Sequence, residues 1–157
     1  MIIPAPATAS TASAWPLSST LPPMGALKTA PGSARAFVKD ALAFWGLTAV
    51  ADEAEAVTGE LVANAVNASR TPAGSLVYIN GHMPTVRVFL ISDGLQVVIE
   101  VHDEALGQPE LRNAGADAEN GRGLVMVHAL TGGRWGWELK KGRHGKVVWA
   151  VLAMGAM

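Results

Sequence analysis

Residues 86–101, VRVFLISDGLQVVIEV, decide the fold. Val86 to Ile91 and Leu95 to Val101 are rich in β-branched residues, and Ser92-Asp93-Gly94 between them has the chemistry of a tight turn. The stretch therefore reads as a β-hairpin, which makes its two strands antiparallel. A second hairpin is expected near the end of the chain, from Trp135 to Leu139 and from Lys146 to Leu152 around the basic turn Lys140 to Gly145. Upstream, Thr20 to Leu27 is a candidate edge strand, because Pro22 and Pro23 cannot donate to a central ladder.

Between these strand regions the apolar period changes to that of a helix. Ser33 to Trp45 carries Phe37, Val38, Leu42 and Trp45 at helical spacing, with Pro31 suited to its start and Gly46 to its end. A second helix is expected to begin after Asp52, an N-cap candidate with Glu55 at the capping-box position, and to run to about Ser69 before Pro72. Gly121 to Leu130 resumes helical spacing through Leu124, Val127 and Leu130 and stops at Gly132-Gly133. Thr71 to Thr85 is a long connection with a short strand expected at Leu76 to Ile79. Glu104 to Asn120 has little periodicity and reads as a functional loop. Helices grouped between hairpin-joined strands predict an α+β fold, a two-layer α/β sandwich with a mixed, mostly antiparallel sheet and helices on one face.

Composition bounds what such a fold can do. The chain has 157 residues, half of them apolar and 16% charged, enough for one packed domain. Residues 1–16, rich in Ala, Pro, Ser and Thr, are expected to be a disordered tail, and residues 17–157 the single domain. The tail lacks the charged and apolar regions of a secretion signal, so Ala12-Ser13-Ala14 is not read as a cleavage site. Twelve basic against 13 acidic residues give a net charge of -1, which argues against nucleic acid as a partner. The run from Val147 to Met154 is far shorter than the roughly 20 residues that span a bilayer, so no membrane association is expected. Without cysteine there are no disulfides or thiolate sites, which fits a cytoplasmic location.

The chemistry is concentrated in three segments. On the second helix, Asn64 lies roughly 40° and Asn67 roughly 20° to either side of Glu60 at about 100° per residue, beside an apolar stripe of Val57, Leu61 and Ala65. A carboxylate and two carboxamides on one face suit a magnesium-phosphate site, with Asn as a hard oxygen ligand and Glu as a base. On spacing alone, a solvated polar edge gives the same pattern. Asp103 ends an apolar strand and is followed by small residues through Ala105 to Gly107, an arrangement able to accept an exocyclic amine beside a flat ring. Gly121-Arg122-Gly123-Leu124 opens a helix, whose free N–H groups and Arg122 favour phosphate.

Together and in this order, the segments resemble the GHKL ATPase superfamily, most closely the anti-sigma-factor serine kinases and their actinobacterial ATP-binding relatives. The resemblance covers about residues 17–152. Glu60 with Asn64 resembles the N box, Asp103 to Gly107 the adenine box DxGxG, and Gly121 to Leu124 the second glycine box GxGL. It implies a Bergerat-type fold, Glu60 as catalytic base, Asn64 on Mg2+ with Asn67 as a neighbour, and Asp103 receiving the adenine amine of ATP. Ala105, Gly107, Gly121, Arg122, Gly123 and Leu124 would complete the nucleotide site, and residues 104–120 would close as a lid. The chain departs from the pattern at Ala105, which replaces a glycine, at Ala68, which replaces a frequent His, and at Val147, which replaces a frequent Thr near the adenine.

The implied activity is transfer of the ATP γ-phosphate to a serine of an anti-anti-sigma protein, in the regulation of transcription. The implied partners are that protein, a sigma factor, and a second copy of the chain in a homodimer. The alternatives are a nucleotide-gated binding module without kinase activity and a scaffold that has lost ATP, the latter opposed by the presence of both Glu60 and Asn64. Gly142 to Lys146 has the wrong spacing and setting for a P-loop and reads as a hairpin turn. Trp135, Trp137 and Trp149 read as core or dimer packing.

Overall fold

The computed structural model describes residues 17–105, 123–142 and 145–154. Within them the chain runs β1 (Leu17–Gly25), α1 (Ala30–Trp45), a short 3-10 turn (Thr48–Val50), α2 (Ala51–Ala68), β2 (Thr85–Ser92), β3 (Gln96–Asp103), α3 (Gly123–Thr131), β4 (Trp135–Leu139) and β5 (Lys146–Ala153). The strands form one sheet in the order β1-β2-β3-β5-β4, antiparallel at every junction. The expected α+β two-layer sandwich is what the chain forms, with the described sheet antiparallel throughout rather than mixed.

The β2–β3 turn is held by the side chains that predicted it. Asp93 Oδ1 accepts from the backbone N–H groups of Leu95 and Gln96 at 2.8 and 2.9 Å, and Ser92 Oγ donates to the Gln96 carbonyl at 2.7 Å. Those backbone donors hold the Asp93 carboxyl below its ordinary value. Alternation then sends Val86, Val88 and Leu90 of β2, Val97, Ile99 and Val101 of β3, and Val148, Ala150 and Leu152 of β5 to one face. Val38 and Leu42 of α1, Val57, Leu61, Val62 and Ala65 of α2, and Leu124 and Val127 of α3 pack on that face. Each such side chain contributes about 1.5–3 kcal/mol by leaving water. Ile91, Val98, Trp149 and Val151 form a second buried cluster on the opposite face, so the central strands are apolar on both sides.

Local differences from expectation have identifiable causes. β1 starts at Leu17 rather than Thr20, and Pro22 and Pro23 fall in the register irregularity between Leu21 and Met24, where missing donors matter least. α1 starts at Ala30, so Pro31 lies in its first turn and Ser33 inside it. Asp52 does not cap α2: the 3-10 turn runs straight into the helix, Val50 occupies the cap position, and Asp52 and Glu53 lie in the first turn, near the positive end of the helix dipole. No strand forms at Leu76 to Ile79; the segment makes only the isolated bridges Arg70↔Leu76 and Ile79↔His82. α3 begins at Gly123, and Gly121 and Arg122 lie outside the described residues, as do the expected tail and all of the expected lid except Glu104 and Ala105.

Candidate functional site

α2 packs on α1 and α3 and on the sheet, which leaves Glu60 and Asn64 half-buried beside its buried stripe. Glu60 faces the start of α3. A β-carbon on Gly123 would stand 3.0 Å from Glu60 Oε2, so glycine is what lets the two helices approach there. Glu60 and Gly123, which the sequence expectation put in one site, are thus brought together. Burial pushes the Glu60 carboxyl above its ordinary 4.5, and the Arg35 guanidinium of α1 opposes the shift. Asn67 is exposed about one turn beyond Asn64, next to the exposed Ala68.

Asp103, at the end of β3, is 1% exposed and faces the helices. Its backbone partner on β5 is Lys146, also 1% exposed, and the two side chains form a buried ion pair. Lys146 Nζ lies 3.2 Å from Oδ1 and 3.0 Å from Oδ2, and the Ala105 N–H donates to Oδ1 at 2.9 Å. Oδ2 receives no directed hydrogen bond from the described residues. Burial drives the Asp103 carboxyl upward, while Lys146 first, then the Ala105 N–H and Lys140, pull it back. Gly145, at φ +114, permits the close approach, since any side chain there would collide with the Asp103 carbonyl oxygen.

Next to Ala105, with none of Glu60, Asn64, Asp103 and Lys146 in its lining, is a cavity of about 450 Å³, within the ordinary range for small-molecule sites. Its walls come from the end of α2 at Ala68 and Ser69, the connection from Val77 to Asn80 with Pro84, and Glu104 and Ala105. Glu104 braces the connection: Oε1 accepts from the Thr85 N–H at 2.7 Å and from its hydroxyl at 3.0 Å, and Oε2 meets His82 Nε2 at 3.1 Å. Partial burial pushes the Glu104 carboxyl up, but the hydrogen bonds from His82 and Thr85 outweigh it and leave the group below its ordinary value. Arg70 ties the other end, reaching the carbonyls of Gly74 at 2.9 Å and Ala26 at 3.3 Å.

Of the residues expected to form the site, Glu60, Asn64, Asp103, Ala105, Gly123 and Leu124 are in these elements, and Gly107, Gly121 and Arg122 lie outside the described residues. Val147 requires a correction. Its strand partner is His102, so the pleat turns it to the face opposite Asp103, and the residue that meets Asp103 is Lys146. A hydroxyl at position 147 would therefore lie on the other face of the sheet from Asp103. Lys146 was expected as the first residue of the last strand but not as a site residue; its place in phase with Val148, Ala150 and Leu152 turns its charge inward. Trp135 and Trp137 pack against the core on the helix side, with Trp135 Nε1 donating to His128 Nδ1 at 3.1 Å, while Trp149 lies on the other face over Gly136.

The donor set fits a nucleotide. Asp103 Oδ2, met by the Lys146 ammonium at 3.0 Å, keeps a lone pair for a further donor, and Asn64 offers a hard oxygen for Mg2+. Among the described residues no group of three His, Asp or Glu side chains could hold a metal alone, so a cation here needs phosphate oxygens. No described helix is long and apolar enough to cross a membrane.

No curated protein matches the chain. A family model described as the histidine kinase-like ATPase domain matches residues 25–152, a span that takes in all three helices and both faces of the site. By that match, and with the carboxylate of α2 set against the start of α3, the chain belongs to the histidine kinase-like ATPase domain family and so to a class of ATP-binding domains.

Proposed function

We propose that the chain is an anti-sigma-factor-type regulator that transfers the ATP γ-phosphate to a serine of an anti-anti-sigma partner. The observation that carries this reading is Glu60 against the first residue of α3, with Asn64 one helical turn beyond it. Helix N-termini favour phosphate, so the γ-phosphate would lie within reach of the carboxylate. The serine oxygen bonds to the γ-phosphorus, the bond to the β,γ-bridging oxygen breaks, ADP leaves, and the serine proton passes to Glu60. A carboxyl raised by burial is a better proton acceptor than an ordinary one, which supports Glu60 as the base. Mg2+ on Asn64 would supply charge neutralisation at the phosphates. Asp103 would take the adenine amine and Ala105 would border the ring. The partners in this reading are an anti-anti-sigma protein and a sigma factor in the cytoplasm.

The test uses the full chain, labelled ATP and a candidate anti-anti-sigma protein with its acceptor serine intact or changed to alanine. Glu60→Ala should retain ATP and partner binding while losing phosphoryl transfer by about 10²-fold or more. A wild-type complex that forms, depends on nucleotide and transfers no label would instead identify a gated binding module.

A further inference from the structure

Lys146 is the largest fully buried side chain among the described residues, and its ammonium has been brought to one carboxylate. A strand-end lysine ordinarily reaches water; this one is 1% exposed because Gly145 lets the chain pass against the Asp103 backbone. We propose that Lys146 is a positioning residue that sets which nucleobase the site takes. By keeping Asp103 ionised, it leaves Oδ2 as an acceptor-only atom, which selects a purine with an amine over one with a carbonyl at the same position. The inference rests on the nucleotide reading above.

The chemistry follows from the carboxyl group. An ionised carboxylate can only accept, whereas a protonated one also presents an O–H donor that a base carbonyl can use. Around Asp103, β5 contributes Lys146, and Lys140 adds a weaker positive influence from before Gly145. β2 contributes no charge, its residue opposite Asp103 being Val86. The neighbouring Glu104 is engaged by His82 and Thr85. Lys146 is thus the main counterweight to a burial that favours the neutral acid. Removing its charge lets Asp103 take up a proton nearer neutral pH, and the pocket then accepts a carbonyl as well as an amine.

The experiment compares ATP with inosine triphosphate, which carries a carbonyl where ATP carries the amine, on wild type, Lys146→Met and Lys146→Arg. Wild type should prefer ATP by about tenfold or more at neutral pH, the scale of one mismatched buried hydrogen bond. Lys146→Met should lose most of that preference near neutral pH and regain it as pH rises, and Lys146→Arg should keep it. If Lys146→Met does not fold, the wild-type preference still serves: it must decline on acidification with the same midpoint as the Asp103 carboxyl carbon resonance. A wild type that binds ATP, with a preference that ignores both Lys146→Met and the Asp103 titration, overturns the inference alone. A wild type that binds neither nucleotide overturns the nucleotide reading and this inference with it.

Discussion

Arg35 lies across Gly59: a β-carbon there would stand 2.7 Å from the guanidinium nitrogen Nη1 and 3.2 Å from Cδ. The bare helix surface thus seats the cation beside Glu60, the next residue, whose carboxyl it pulls down. Gly59→Ala should push the exposed tip of Arg35 away. Helix propensity favours alanine over glycine by about 1 kcal/mol, so the fold should be unharmed or slightly steadier. The Glu60 carboxyl should then titrate higher than in wild type, which carbon-detected NMR measures. An unchanged titration would show that Arg35 does not act on Glu60.

Glu60 itself should cost stability at neutral pH. Because its pKa is raised in the fold, the native state binds the proton more tightly than the unfolded chain does. That favourable term is complete below about 4.5 and is lost as pH climbs through the folded value. Glu60→Gln lacks the titration, so its stability relative to wild type should grow between pH 4 and pH 7 by a modest amount, the group being half-exposed. Denaturant unfolding at the two pH values measures the difference. A constant offset would mean that burial does not raise this carboxyl.

The Asp103–Lys146 pair should behave as a unit. Replacing either partner alone, as Asp103→Leu or as Lys146→Met, strands a buried charge and should cost about 3–5 kcal/mol. Asp103→Leu combined with Lys146→Met replaces both charges by apolar groups and should cost much less than the two single losses added together. Equilibrium unfolding of the four proteins gives the coupling, and simple additivity would dissolve the pair.

Ala68 offers a direct test of the cavity. It is exposed at the end of α2 and lines the space beside Ala105, so Ala68→Phe should fill that space without entering the core. We expect ATP affinity to fall by about tenfold, equivalent to about 1.4 kcal/mol, with thermal unfolding little changed. Calorimetric titration decides it; full affinity would place the ligand elsewhere.

What could be read from the sequence was local. The β2–β3 turn was legible in Ser92-Asp93-Gly94 because those side chains make the turn, and the shared face of Glu60 and Asn64 followed from helical period alone. Lys146 was not legible, since its meaning depends on a strand register that joins it to Asp103, 43 residues away. The same register moved Val147 to the far face, where one residue of slip changes everything a side chain meets. The connection from Thr71 to Thr85 was legible as a long connection, but no period announces that its irregular backbone walls a cavity.

α2 carries Val57, Leu61 and Ala65 into the core and holds Glu60 and Asn64 on the adjoining face. Its backbone is fixed by the packing of one row of side chains and aimed by that packing at the task of the other. Solidity and chemistry are therefore inherited together along this helix. A lineage that repacks the core here also re-aims the carboxylate, and one that drifts at the carboxylate keeps a sound scaffold ready for another trade.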